Sequence, residues 1–362
     1  MSATSTYTGT GLAGSGSMAR AMAGASAVPV SHAIDLAFFF SHDSDARRDA
    51  LVSETRRQLG GCVAAVEIAL RLSLAHAPAV VAALDLSPAP LAWPIIRAQP
   101  SLITPALLAH MRMRAAVALM LRQYGQGDLD PAGDALPGPL PAADDAELGH
   151  AVAALALAEG RWLAPGGEDQ PIRADLPAEL FADLVWTVAA CLARAAERAT
   201  GGADDALYAG FDRSGWALLA DHDEDASPLA QADHLVRRMG EGADDPLLLG
   251  AALDQRRFLL FAALAARRLR VDTALLVDAL LLGPVGDVAL LCRSLGGSDA
   301  DYRQLLLSLR PVRPSVSDAA VVAAAEAYAQ VSQAQADAAV AALRTAPQFR
   351  ARLDHLRGSA GS

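Results

Sequence analysis

The 362-residue chain is 53% hydrophobic and 20% charged, and its formal charge of −11 at pH 7 argues against a dominant affinity for nucleic acid or anionic membrane. Its length suits one large helical array or two domains. Cys62, Cys191 and Cys292 are odd in number and lack a Cys-x-x-Cys spacing, so neither a zinc site nor a disulfide framework is indicated and a reducing, cytoplasmic setting is expected.

Residues 1–30 are Ser, Thr, Gly and Ala with almost no large apolar side chain, a composition that cannot repay ordering and reads as a disordered tail. Gly9, Gly11 and Gly14 give a formal dinucleotide fingerprint, but that motif works only between a strand and a helix, and neither is visible there.

From residue 31 the pattern is helical. All basic residues are Arg, there is no Asn, and Ala and Leu dominate the apolar set, a bias that favours helix over strand. Residues 31–124 read as amino-terminal helical repeats. "DARRDALVSETRRQL" and "VAAVEIALRLSLAH" place apolar residues three and four apart, and short proline-punctuated segments follow from residue 62 to 123. Residues 125–143 read as a Gly/Pro-rich linker, and "APGGEDQPIRADLP" from Ala164 as a second one.

Residues 144–310 read as middle and carboxy-terminal repeats. Helix starts are expected at Ser87-Pro88, Thr104-Pro105, Ser227-Pro228 and Asp245-Pro246, where a capping side chain precedes a proline that needs no donor. Ser298 and Asp301 predict a capping box. "TALLVDALLLGPVGDVALLC" is interrupted by Asp278, Asp287 and Gly-Pro, so no membrane span is expected. Residues 311–362 form an Ala-rich helical tail whose stripe of Val321, Tyr328, Val331 and Ala338 can dock on the main body or join two copies as a homodimer. Short helices at this rhythm bury their apolar faces by stacking on neighbours, which predicts an all-α, HEAT-like solenoid of helix hairpins.

Two stretches carry a resemblance. "LAHAPAVVAALDLSPAPLAWPIIRAQPSLITPALLAHM" resembles the helix pairs of a bacterial HEAT-like family catalogued as a domain of unknown function, with Pro94 to Leu102 as the matching run. "LDQRRFLLFAALAARRLRVDTALLVDALLLGPVGDVALLCRSLGGSDADYRQLLLSL" is similar to that family's carboxy-terminal part. The shared motifs are packing motifs, so the resemblance implies helical repeats and supplies no catalytic residue.

"ADHDEDASPLA" sets Asp221, Asp223 and Asp225 at alternate positions, as a calcium loop would, but Ala226 and Ala232 stand where glycine and a closing glutamate are needed. A solvated turn that caps the helix after Ser227 is the preferred reading over a weak metal site. Cys62 follows Gly60-Gly61 at an expected helix start, where a thiol's pKa can fall, yet a buried structural thiol is favoured. Arg256, Arg257, Arg267 and Arg268 are candidates for an anion-binding concave face, and Trp162 for a groove edge. No catalytic residue and no cofactor are expected. A non-enzymatic scaffold or adaptor with a protein partner is the preferred function. A nucleic-acid binder using the Arg face is the alternative, and a helical enzyme or small-ligand binder the second alternative.

Overall fold

The computed structural model describes residues 49–76, 78–86, 90–126, 146–202, 205–314 and 316–345, with positions 32, 36, 39, 40 and 349 besides. The tail 1–30 with Gly9, Gly11 and Gly14 of the fingerprint, Arg47-Arg48, Ser87-Pro88 and most of the 125–143 linker lie outside these residues. Fifteen α-helices and no strand occur among them. In chain order they are α1 (Ala50–Ser73), α2 (Pro78–Asp85), α3 (Ala92–Ala98), α4 (Pro105–Gln126), α5 (Ala146–Trp162), α6 (Ala178–Thr200), α7 (Asp205–Ala220), α8 (Pro228–Met239), α9 (Leu247–Asp254), α10 (Phe258–Leu269), α11 (Thr273–Leu281), α12 (Val285–Ser294), α13 (Asp299–Ser308), α14 (Asp318–Tyr328) and α15 (Gln333–Arg344). None is long and apolar enough to cross a membrane.

The capping chemistry acts as expected. Ser227 Oγ accepts from Ala230 N at 3.2 Å, Thr104 Oγ1 from Leu107 N at 3.3 Å, and Ser298 with Asp301 closes a reciprocal box. The rhythm of short rods was misleading in one place. Gly60-Gly61 was expected to separate two helices, but α1 runs through them for 24 residues. A Cβ on Gly60 would stand 2.2 Å from the Glu168 carbonyl oxygen, and one on Gly61 would stand 2.5 Å from the Ile172 side chain. The pair is therefore a notch. The extended segment 164–177 lies in it, with Ile172 N donating to Gly61 O at 2.9 Å. That segment was expected to be a linker, yet Ile172, Ala174 and Leu176 belong to the interior.

Two hydrophobic cores result. One gathers α1, α2, α3, α6 and α7, with Leu36 and Phe39 against them. The other surrounds α10, buried without a break from Phe258 to Ala266, as a helix apolar on every side must be. Helix α4 serves both: Leu107, Leu108 and Met111 enter the first core, and Met113, Val117 and Met120 the second. Helix α1 touches α3, α4, α6 and α7, so its contacts reach well beyond its neighbours in sequence. In the tail, α15 lies on α12 and α14 on α13. The buried stripe is Val321, Ala325, Tyr328, Ala336 and Val340; Ala338 is exposed, because the turn between α14 and α15 resets the helical phase.

Candidate functional site

Where the two cores meet stands a buried polar knot. Arg114, between Met113 and Ala115 on α4, has no exposed surface. Its Nη1 donates to Asp175 Oδ1 at 2.7 Å, its Nε to Gln58 Oε1 at 2.8 Å and its Nη2 to the Arg173 carbonyl at 2.9 Å. The guanidinium lies 4.7 Å from the Trp162 ring centre, and Trp162 Nε1 donates to Asp175 Oδ1 at 2.9 Å. Gln58 Nε2 and Arg57 Nη2 donate to the Trp162 carbonyl, satisfying an acceptor left open where α5 ends. Burial works to raise the pKa of Glu54, but hydrogen bonds from Arg57, Arg122 and Gln58 outweigh it and hold the carboxyl below its ordinary value. Four parts of the chain (α1, α4, the end of α5 and segment 164–177) are thus tied together at one point. Nothing in the knot is an activated nucleophile. The Cys62 thiol nearby is pushed up to about 11, chiefly by burial.

The second feature is a surface groove of about 330 Å³ between α9 and α13, floored by α10 and the end of α12. Its walls are Leu247, Leu249, Leu253, Leu295 and Leu305, with Phe261 beneath. Leu247 is 72% exposed at the lip. Gly250 of α9 lines the groove, and a Cβ there would meet nothing within 4 Å. At the far end Gly296, at φ +80°, turns the chain from α12 toward α13. The polar groups lining it are engaged by the protein itself. Arg268 Nη2 donates to the Asp244 and Asp245 carbonyls, Gln304 donates to Asp254, and Asp301 Oδ2 accepts from Ser298 N and Oγ. Cys292 lies at the floor, 5% exposed, and burial raises its thiol pKa while a hydrogen bond with Tyr328 works the other way.

The expected site residues fall as follows. Arg268 lines the groove. Arg267 pairs with Asp244 at 3.0 Å beside it. Arg256 and Arg257 precede α10 and the other two lie in its last turn, so nine helical residues, about 15 Å, separate the pairs. Arg257 is half-buried, and its pKa is lowered by burial against the attraction of Glu159. Trp162, expected at a groove edge, is instead wholly buried in the knot; the exposed tryptophan is Trp216, 61% exposed. Its position beside Gly and Pro was an unreliable sign, because segment 164–177 folds inward.

Cys62, expected to open a helix, lies in the middle of α1. In the acidic turn, Asp223 caps a short 3-10 turn, Glu224 accepts from Ala178 N at the start of α6, and His222 Nε2 meets the Leu176 carbonyl while its ring stacks on Phe181 at 3.8 Å. Among the described residues no group of three or more His, Cys, Asp or Glu side chains is placed to hold a metal ion. The turn pins segment 164–177 and α6 in position.

Arg114 and the groove were both missed in the sequence. Arg114, followed without a break by the apolar run "AAVALML", was the available sign of the first; "PLLLGAAL", apolar on every side but only two turns long, was the sign of the second.

The fold and groove together define an all-helical protein with an apolar surface cleft and a buried polar centre. Comparison with protein-family models, with curated proteins and with solved structures finds no match for this chain.

Proposed function

We propose that the chain is a non-enzymatic interaction scaffold or adaptor of the bacterial HEAT-like, helical-repeat type, acting in a reducing cytoplasm, and that the α9–α13 groove is where it receives a protein partner. The single observation behind this reading is a cleft with leucine walls whose polar side chains are already bonded to the protein's own frame. Such a cleft recognises by apolar area and shape, and protein interfaces centre on apolar pockets of this kind. The three cysteines are free and buried, in keeping with the proposed compartment. The apolar stripe of the Ala-rich tail is covered by the chain itself, which favours the groove over the C-terminal helix as the meeting place. A nucleic-acid surface is the weaker reading, because Arg267 is paired with Asp244 and the four arginines stand at opposite ends of a buried helix.

The test places a photo-crosslinking residue at Leu247 in cells, with and without Gly250→Trp. The substitution fills the groove from a position with open space around it. Crosslinked protein lost on filling the groove is the expected result. An identical set of crosslinked proteins from both forms removes the groove from the function.

A further inference from the structure

We infer that the partner enters the groove as a basic amphipathic helix, with leucine-like side chains inward and Arg or Lys along its flanks; this rests on the groove being the partner site. The choice of a helix follows from the walls. They are themselves helices, and no strand edge exists among the described residues to pair with an extended peptide. An extended segment would bring unpaired backbone N–H and C=O groups against leucine, where each lacks a partner. A helix satisfies those groups internally and presents only side chains. The lengths agree: α9 and α13, of eight and ten residues, give walls about 12 and 15 Å long, which accommodates two to three turns laid alongside.

The sign of the charge follows from the rim. Asp245 and Asp254 bracket α9, and Asp299 and Asp301 open α13. Against them stand Arg268 and Arg303, and Arg303 already pairs with Asp299 at 2.7 Å. Asp301 and Arg268, which line the groove, balance each other; the exposed Asp245 and Asp254 at the ends of α9 stand against Arg256, two residues beyond Asp254, which leaves the rim acidic by one charge in a chain whose formal charge is −11. Leucine walls with an acidic rim complement a helix that is apolar on one side and basic at its edges, and the charges act mainly on partner choice and encounter rate.

The probe is a displayed library of amphipathic helices with the leucine positions kept and the flanking positions varied among Lys, Arg, Glu and Gln. It is selected on the full chain and counter-selected on Gly250→Trp and, separately, on Leu247→Glu, an exposed position. Circular dichroism and the thermal midpoint establish that both variants are folded. The expected result is groove-dependent binders enriched in Lys and Arg, weakened about fivefold by Asp254→Arg, as loss and reversal of an exposed charge contact implies. Groove-dependent binders enriched in Glu, or indifferent to charge, overturn this inference and leave the scaffold reading standing. Binding unaffected by either groove substitution overturns both. Self-association of the chain that disappears in Gly250→Trp assigns the groove to a second copy and likewise overturns the inference.

Discussion

Replacing Arg114 with Met keeps the length of the side chain and removes its charge. It leaves Asp175 buried, with Trp162 Nε1 as the one donor still reaching it, and strips Gln58 Oε1 and the Arg173 carbonyl of the bonds that Arg114 makes. No donor among the described residues reaches Asp175 Oδ2, and the Arg161 Nε stands 3.9 Å away from it. Breaking a buried ion pair from one side costs about 3–5 kcal/mol, because the surviving charge has no water to return to. That is a fifth or more of a typical stability of about 5–15 kcal/mol. Arg114→Met should therefore move the urea midpoint sharply downward, with tryptophan fluorescence and far-ultraviolet dichroism shifting together, since the knot ties both cores. Adding Asp175→Asn in the same chain removes the stranded charge. The double variant should then be more stable than the sum of the two single losses predicts, by about 2 kcal/mol. A single-variant loss below about 1 kcal/mol, or an additive cycle, would refute the keystone role of Arg114.

The glycines give a prediction of opposite signs. Gly60→Ala drives a methyl group to 2.2 Å from the Glu168 carbonyl oxygen and should destabilise the chain, whereas Gly250→Ala meets open space and should stabilise α9 by up to about 1 kcal/mol; thermal midpoints decide, and equal effects would sink the notch. Burial pushes the Glu159 carboxyl from 4.5 up to about 7, with Arg257 opposing. Its folded pKa lies above its unfolded one, so the stability it contributes is full below about pH 4.5 and lost as pH rises through about 7. Glu159→Gln should therefore gain on the parent between pH 5 and pH 8. His110, pushed down to about 4 by burial, works in the opposite sense at lower pH, so the difference between variant and parent is the quantity to read, and a constant difference would contradict the assignment. Calorimetry with calcium should give no stoichiometric isotherm at the acidic turn, while Glu224→Ala should cost about 1 kcal/mol by uncapping α6.

Much of the local structure could be read before the fold was seen. The all-helical class follows from Ala and Leu at helical spacing, and the starts at Thr104, Ser227 and Ser298 follow from side chains that satisfy amides within three residues. Gly60-Gly61 was misread because a glycine pair that ends a helix and one that admits a neighbouring segment look alike until that segment is placed. Trp162 was misread for the same reason: its environment is made by Arg114 and Asp175, 48 and 13 residues away.

What this sequence determined alone were the properties that depend on neighbours within a turn or two: the helical state, the caps, the absence of a closing ligand in the acidic turn and the apolar faces that required cover. Only the tertiary structure decided which cover each face received. It drew segment 164–177 into the notch of α1, closed an ion pair between the two cores and left the cleft beside Gly250 unfilled. The reason is physical. Capping and helical periodicity act through bonds a few residues long, whereas burial and charge pairing depend on groups that chain order keeps far apart and folding alone brings within reach.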